Sequence, residues 1–144
     1  MGIPRVPTGP GAALSGVPMT LRVIVVDDTA HVRRMLAEML RLDGFDVVGE
    51  AADGAQAVAL CTTVEADVVV CDLRMPIVDG LDVTRRVHAL KPDLPIVLYT
   101  AYLDADIERE ARAAGAALVL TKVDGLVVLE RELNRVAIEV KRDT

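Results

Sequence analysis

Four apolar runs in this chain stop on residues that can do chemistry: Val26 gives way to Asp27-Asp28, Cys71 to Asp72, Tyr99 to Thr100, and Leu120 to Thr121-Lys122. Three carboxylates, a hydroxyl and an ammonium are the parts of a phosphoryl-transfer site. Brought within several ångströms, the carboxylates repel one another by a few kcal/mol per pair, about 4 kcal/mol at 4 Å with an effective dielectric near 20. Positive charge must therefore occupy the site. Lys122 offsets one charge, and a hard divalent cation with oxygen ligands, Mg²⁺, offsets two. With such cations stabilising the phosphoryl oxygens, a carboxylate can attack in line, and Thr100 can donate its hydroxyl to a phosphoryl oxygen. Asp72 is then the nucleophile. Taken singly each residue has a plainer reading: Asp72 caps a turn, Asp28 is a helix N-cap, Thr100 satisfies a turn, and Lys122 is a solvated lysine.

Convergence depends on the elements that carry these residues. Val23 to Val26 is a β-branched run that predicts a strand. Val32, Met35, Leu36, Met39 and Leu40 recur at helical spacing until Gly44, so a helix follows with these five on its buried face. Phe45 to Ala51 predicts a second strand, and Asp53-Gly54 opens a helix to about Thr62 or Thr63. Val68 to Val70, with no polar interruption, reads as a strand buried on both faces, and Pro76 with Asp79-Gly80 turns the chain away after it. A third helix ends at Leu90 before Lys91-Pro92-Asp93, and Ile96 to Tyr99 is the fourth strand. Ile107 to Ala114 forms a helix with Gly115 as its C-cap, Ala117 to Leu120 a fifth strand, and Leu126 to about Val140 a last helix with Leu126, Leu129, Leu133, Val136 and Val140 on one face. Five strands alternating with five helices predict an α/β fold, a doubly wound parallel sheet covered on both sides. All strand C-termini of such a sheet share one edge, which gathers Asp27, Asp28, Asp72, Thr100 and Lys122 in one crevice.

Composition narrows the function. The formal charge of -6 argues against direct binding of nucleic acid, which calls for a basic face. Cys61 and Cys71 lie in no metal-ligand or disulfide pattern and read as small buried hydrophobes. No apolar run approaches the roughly 20 residues of a membrane span, and no secretory leader is visible, so the expected location is the cytoplasm. Residues 1–20 hold four of the seven prolines and little to bury, and are expected to be a flexible tail.

The set Asp27-Asp28, Asp72 within Asp-Leu-Arg-Met-Pro-x-x-Asp-Gly, Thr100-Ala101 and Lys122 resembles the receiver domain of bacterial two-component response regulators. The resemblance covers residues 21–142, and Val47 to Ala51 with Gly80 to Arg86 are similar to the subgroup fused to a helix-turn-helix output domain. It implies a flavodoxin-like sheet of order 2-1-3-4-5. It implies that Asp72 takes a phosphoryl group from a phosphohistidine on a histidine kinase or phosphotransfer protein. Asp28, Asp72 and the backbone carbonyl of Arg74 would ligate Mg²⁺, Asp27 would act through a metal-bound water, and Thr100 and Lys122 would hold phosphoryl oxygens. Such a domain signals to an unidentified downstream protein, with a homodimer as one assembly open to it.

Two departures stand out. The aromatic residue that receivers usually carry three positions before the lysine is replaced by Val119, so Tyr102 is expected to take over part of its relay. Arg74 and Tyr102, flanking Asp72 and Thr100, are expected to shield the site from water and slow phosphate loss. Only 22 residues follow Lys122, room for the last helix and for no DNA-binding unit, so the expected output is protein binding if the chain is complete and that of a transcription factor if it belongs to a longer one. An aspartyl-nucleophile phosphohydrolase shares this logic but places an acid two residues after the nucleophile, where this chain has Arg74. A pseudo-receiver that binds its partner without phosphorylation would not need the intact acidic set. His31 and His88 lack ligand companions and read as structural, and Asp104 to Arg112 reads as a solvated helix face.

Overall fold

The computed structural model describes residues 20–143, so the expectation of a flexible tail lies outside the described residues save for Thr20. Strands β1 (Arg22–Val26), β2 (Asp46–Ala51), β3 (Val68–Cys71), β4 (Ile96–Thr100) and β5 (Leu118–Thr121) alternate with helices α1 (Ala30–Leu42), α2 (Gly54–Thr63), α3 (Gly80–Leu90), α4 (Ala105–Ala114) and α5 (Gly125–Asp143). The strands are all parallel in the order β2-β1-β3-β4-β5, the flavodoxin-like arrangement expected. Val25 pairs with Val70, Val70 with Val97, and Val97 with Leu118.

Strand alternation sorts the core into two layers. Ile24, Val26, Val69, Cys71, Ile96, Leu98 and Val119 face α2, α3 and α4, where Ala57, Cys61, Val83, Val87 and Ala111 meet them. Val23, Val25, Val68, Val70, Val97 and Tyr99 face Ala37 and Leu40 of α1 and Leu129, Leu133, Val136 and Ala137 of α5. Both cysteines are free and buried, in keeping with their reading as small hydrophobes.

Helix starts are fixed locally. The side chains of Asp53, Asp79 and Asp104 accept the backbone N–H three residues on, at 2.8, 3.0 and 2.8 Å, each satisfying an orphan donor of the first turn. Gly115 ends α4 with a φ of 105°, the left-handed C-cap that only glycine adopts without strain.

The sequence reading needs adjustment at three places. β5 begins at Leu118 rather than Ala117, whose N–H donates to the Ile96 carbonyl at 2.9 Å. Lys122 to Asp124 form a turn of 3₁₀ helix before α5, with the Thr121 hydroxyl accepting from the Asp124 N–H at 3.2 Å. The buried line of α1 is Ala37 and Leu40, whereas Met35 and Met39, expected inside, are 61% and 42% exposed. The five-residue stripe is wider than the sheet beneath α1 can cover.

Candidate functional site

At the C-terminal edge of the sheet, β1 and β3 run side by side with Val26 opposite Cys71, so Asp27 and Asp72 emerge together. Asp27 is held from both sides of its backbone. Its N–H donates to the Ala51 carbonyl at 3.1 Å, and its own carbonyl accepts from Arg33 Nη1 at 2.9 Å. The Asp27 carboxylate accepts the Thr29 N–H at 2.9 Å through Oδ1. Thr29, not Asp28, is the N-cap of α1, which leaves the exposed Asp28 carboxylate for the crevice.

Asp72 is fixed in the same manner. Its N–H donates to the Val26 carbonyl at 2.9 Å, and its Oδ1 lies 3.4 Å from the Arg74 N–H. The loop beyond it folds back on α3, where the Gly80 N–H donates to the Leu73 carbonyl at 2.8 Å. A Cβ at Gly80 would lie 2.5 Å from the Asp72 carbonyl oxygen and 2.8 Å from Leu73 Cα, so glycine is what permits this approach. Within the loop Ile77 takes a φ of 70°, a strained value for a β-branched residue, and stands fully in solvent.

The three carboxylates converge. Asp27, Asp28 and Asp72 each offer an oxygen, all within 4.8 Å of one another, and together they can hold a metal ion. Lys122 Nζ lies 3.2 Å from Asp27 Oδ2 and 3.8 Å from Asp72 Oδ2. Burial pushes the Asp72 carboxyl above its ordinary value, Asp27 and Asp28 push it the same way, and Lys122 and the Arg74 N–H oppose them. One ammonium against three carboxylates leaves the crevice electronegative, with an all-oxygen donor set suited to a hard divalent cation.

Thr100, the last residue of β4, is fully buried. Its hydroxyl donates to the Tyr102 carbonyl at 3.1 Å and accepts the Tyr102 N–H at 3.3 Å, so the β4–α4 loop is closed onto it. Tyr102 is tied to Thr100 through its backbone, and its ring is 61% exposed. Val119 lies inside the layer formed with α2, α3 and α4. The buried aromatic ring near the site is Tyr99, on the opposite face of the sheet. His88 packs on Gly115, where a Cβ would meet its ring at 2.6 Å, in keeping with a structural role.

Arg33 is the residue that sequence reasoning passed over. It holds the Asp27 carbonyl and pairs with Glu50 of β2 through Nε at 3.4 Å, so it sets the height of the β1–α1 loop. No sequence signal marks this contact, because the acceptor is a backbone carbonyl. Arg22, at the other end of β1, grips Asp67 before β3 with its backbone N–H at 2.8 Å and its side chain at 3.1 and 3.2 Å.

A doubly wound parallel sheet of this order defines the flavodoxin-like class, in which ligands sit where the strand order reverses, and here the acidic cluster and Lys122 stand beyond that edge. The chain belongs to the response regulator receiver domain family, whose model matches residues 23–133. The fold matches a CheY-like receiver domain protein from Methanospirillum hungatei JF-1 with a TM-score of 0.81, over 88% of this chain and 100% of that one, at 19% identity. The receiver domain of the putative response regulator NarL from Mycobacterium tuberculosis matches at 32% identity and a TM-score of 0.73, over 86% and 98% of the two chains. The transcriptional regulatory protein PdtaR of M. tuberculosis is 44% identical over 101 residues, 70% of this chain and 49% of that protein. The chain thus spans about half the length of this curated relative. Among the described residues no helix is long and apolar enough to cross a membrane.

Proposed function

We propose that this chain is a phosphorylation-driven switch in which Asp72 accepts a phosphoryl group from a phosphohistidine on a histidine kinase or phosphotransfer protein. The observation that carries the reading is the placement of Lys122 between Asp27 and Asp72, inside a cluster of three carboxylates within 4.8 Å. An Asp72 oxygen attacks phosphorus, the bond from phosphorus to the donor imidazole breaks, and the imidazole leaves with a proton taken from water. Asp27, Asp28, Asp72 and the Arg74 carbonyl are the groups to hold Mg²⁺, which supplies charge neutralisation for the phosphoryl oxygens. Lys122 neutralises a further oxygen. Thr100 must release the Tyr102 backbone to reach the phosphoryl group, and that exchange moves the β4–α4 loop. The added charge of about -1.5 to -2 is thereby converted into a changed surface for a downstream protein, in the cytoplasm.

The test is intact mass after incubation with acetyl phosphate and Mg²⁺, for wild type and Asp72→Asn. A Mg²⁺-dependent gain of one phosphoryl group in wild type alone is expected. No gain from acetyl phosphate or from a phosphorylated kinase, in protein shown to be folded, overturns the reading.

A further inference from the structure

Between α1 and α5 lies a cavity of about 290 Å³, at the small end of the usual range for ligand sites. Its walls are apolar, with Val32, Met35, Leu36 and Met39 of α1 on one side and Leu126 of α5 on the other. Methionines make such a wall adaptable, because their unbranched side chains shift to follow the outline of a guest. Three residues with polar groups close the inner end: Tyr99, Asp27 and Lys122.

That end has unused hydrogen-bonding capacity. Only 9% of Tyr99 is exposed, yet its hydroxyl has no hydrogen-bond partner among the described residues. A buried phenol ordinarily finds one. Burial raises the Tyr99 phenol above its ordinary value and Lys122 opposes the shift, so at neutral pH the hydroxyl keeps its proton and stands near the ammonium as a donor. Lys122 turns N–H groups toward Asp27 and Asp72, at 3.2 and 3.8 Å, and has a third to give. Two donors thus meet at one end of an apolar cavity.

Charge and lone pairs select the guest. Asp27 and Lys122 neutralise each other at 3.2 Å, so a charged head would give up its hydration with no unpaired opposite charge to receive it. A carbonyl oxygen is uncharged and has two lone pairs, and it can take one bond from Tyr99 and another from Lys122. We infer that the cavity is a binding site for a neutral, largely apolar small molecule bearing a carbonyl group, with its oxygen at the Tyr99–Lys122 end and its body between α1 and Leu126. The site goes beyond the phosphorylation reading and stands without it.

Equilibrium dialysis of the full chain tests this with two probes of nearly equal shape, benzophenone and diphenylmethane, of which only the first has a carbonyl. Both are expected to bind at a single site per chain. Leu126→Trp fills the cavity and is expected to weaken both by about tenfold or more, with unchanged circular dichroism. In Tyr99→Phe the affinity for benzophenone relative to diphenylmethane should fall about fivefold, the effect of one hydrogen bond. Irradiation locates the ligand: the excited carbonyl takes a hydrogen atom from a neighbouring C–H group, the two carbon radicals join, and peptide mass analysis is expected to find the adduct on Met35 or Met39. An affinity ratio in Tyr99→Phe equal to that of wild type overturns the inference. So does benzophenone binding that Leu126→Trp leaves intact, which would be adventitious attachment to the exposed methionines. No saturable binding of either probe overturns it as well, and leaves the face to a macromolecular partner.

Discussion

Replacing Lys122 by methionine keeps the length of the side chain and deletes its charge, which isolates the electrostatics of the crevice. At 3.2 and 3.8 Å, the ammonium attracts Asp27 and Asp72 by about 5 and about 4 kcal/mol with an effective dielectric near 20. Desolvation offsets much of this, and Lys122 is 31% exposed, so solvent screens what remains. Removing one partner from a buried pair typically costs about 3–5 kcal/mol, and screening reduces that here to about 2 kcal/mol. The expected fall in Tm is about 6 °C in the presence of a chelator. Mg²⁺ in millimolar excess supplies the missing charge, so the loss shrinks below about 1 kcal/mol and Mg²⁺ binds about tenfold more tightly than to wild type, a gain near 1.4 kcal/mol. Thermal melts with and without Mg²⁺, and a Mg²⁺ titration, read both effects. Equal destabilisation in the two conditions, together with unchanged Mg²⁺ affinity, would refute the shared-charge account of the crevice.

Gly80→Ala drives a Cβ into the Asp72 carbonyl and Leu73, both backbone, so urea unfolding is expected to show a loss of about 2–3 kcal/mol. Ile77→Gly relieves a left-handed residue that buries nothing, and is expected to raise stability by about 1 kcal/mol in the same assay. Glu130 is held above its ordinary 4.5, at about 7, by burial and by the neighbouring Asp43 carboxylate, so the folded chain keeps a proton that the unfolded chain releases. Stability from this group is therefore present below pH about 4.5 and is lost as pH rises through about 7. Urea midpoints should fall across that window in wild type and flatten in Glu130→Gln.

The fold was legible because its strands are uninterrupted. Val23 to Val26 and Val68 to Val70 admit no helical period that would leave a polar face, and each ends on a carboxylate where the sheet ends. The site was legible for the same reason, since parallel strands bring their last residues to one edge. What the sequence could not show were choices made by the surroundings. Met35 and Met39 fit the helical stripe as well as Leu40 does, but the two layers close over Ala37 and Leu40 and leave the methionines outside. Thr29 rather than Asp28 occupies the N-cap position of α1, with no side-chain cap bond of its own, and the Asp27 carboxylate takes the Thr29 N–H. The hold of Arg33 on the Asp27 carbonyl joins residues whose charges predict no such pairing, since the acceptor is backbone.

Val119 and Tyr99 sit on neighbouring strands, with Leu98 opposite Val119 in the β4–β5 register and Tyr99 opposite Leu120. Alternation then sends Val119 toward α2, α3 and α4, and Tyr99 toward α1 and α5. On the first face a branched aliphatic side chain has no ring to swing and no hydroxyl to exchange. On the second, a phenol lines the same cavity as Lys122, whose ammonium pairs with Asp72. Tyr99→Leu should accordingly weaken the response of partner binding to phosphorylation while leaving the mass gain at Asp72 intact, whereas Val119→Ala should leave that response unchanged. The reverse ranking would return the output of the switch to the α4–β5 face, and with it the relay that Val119 cannot perform.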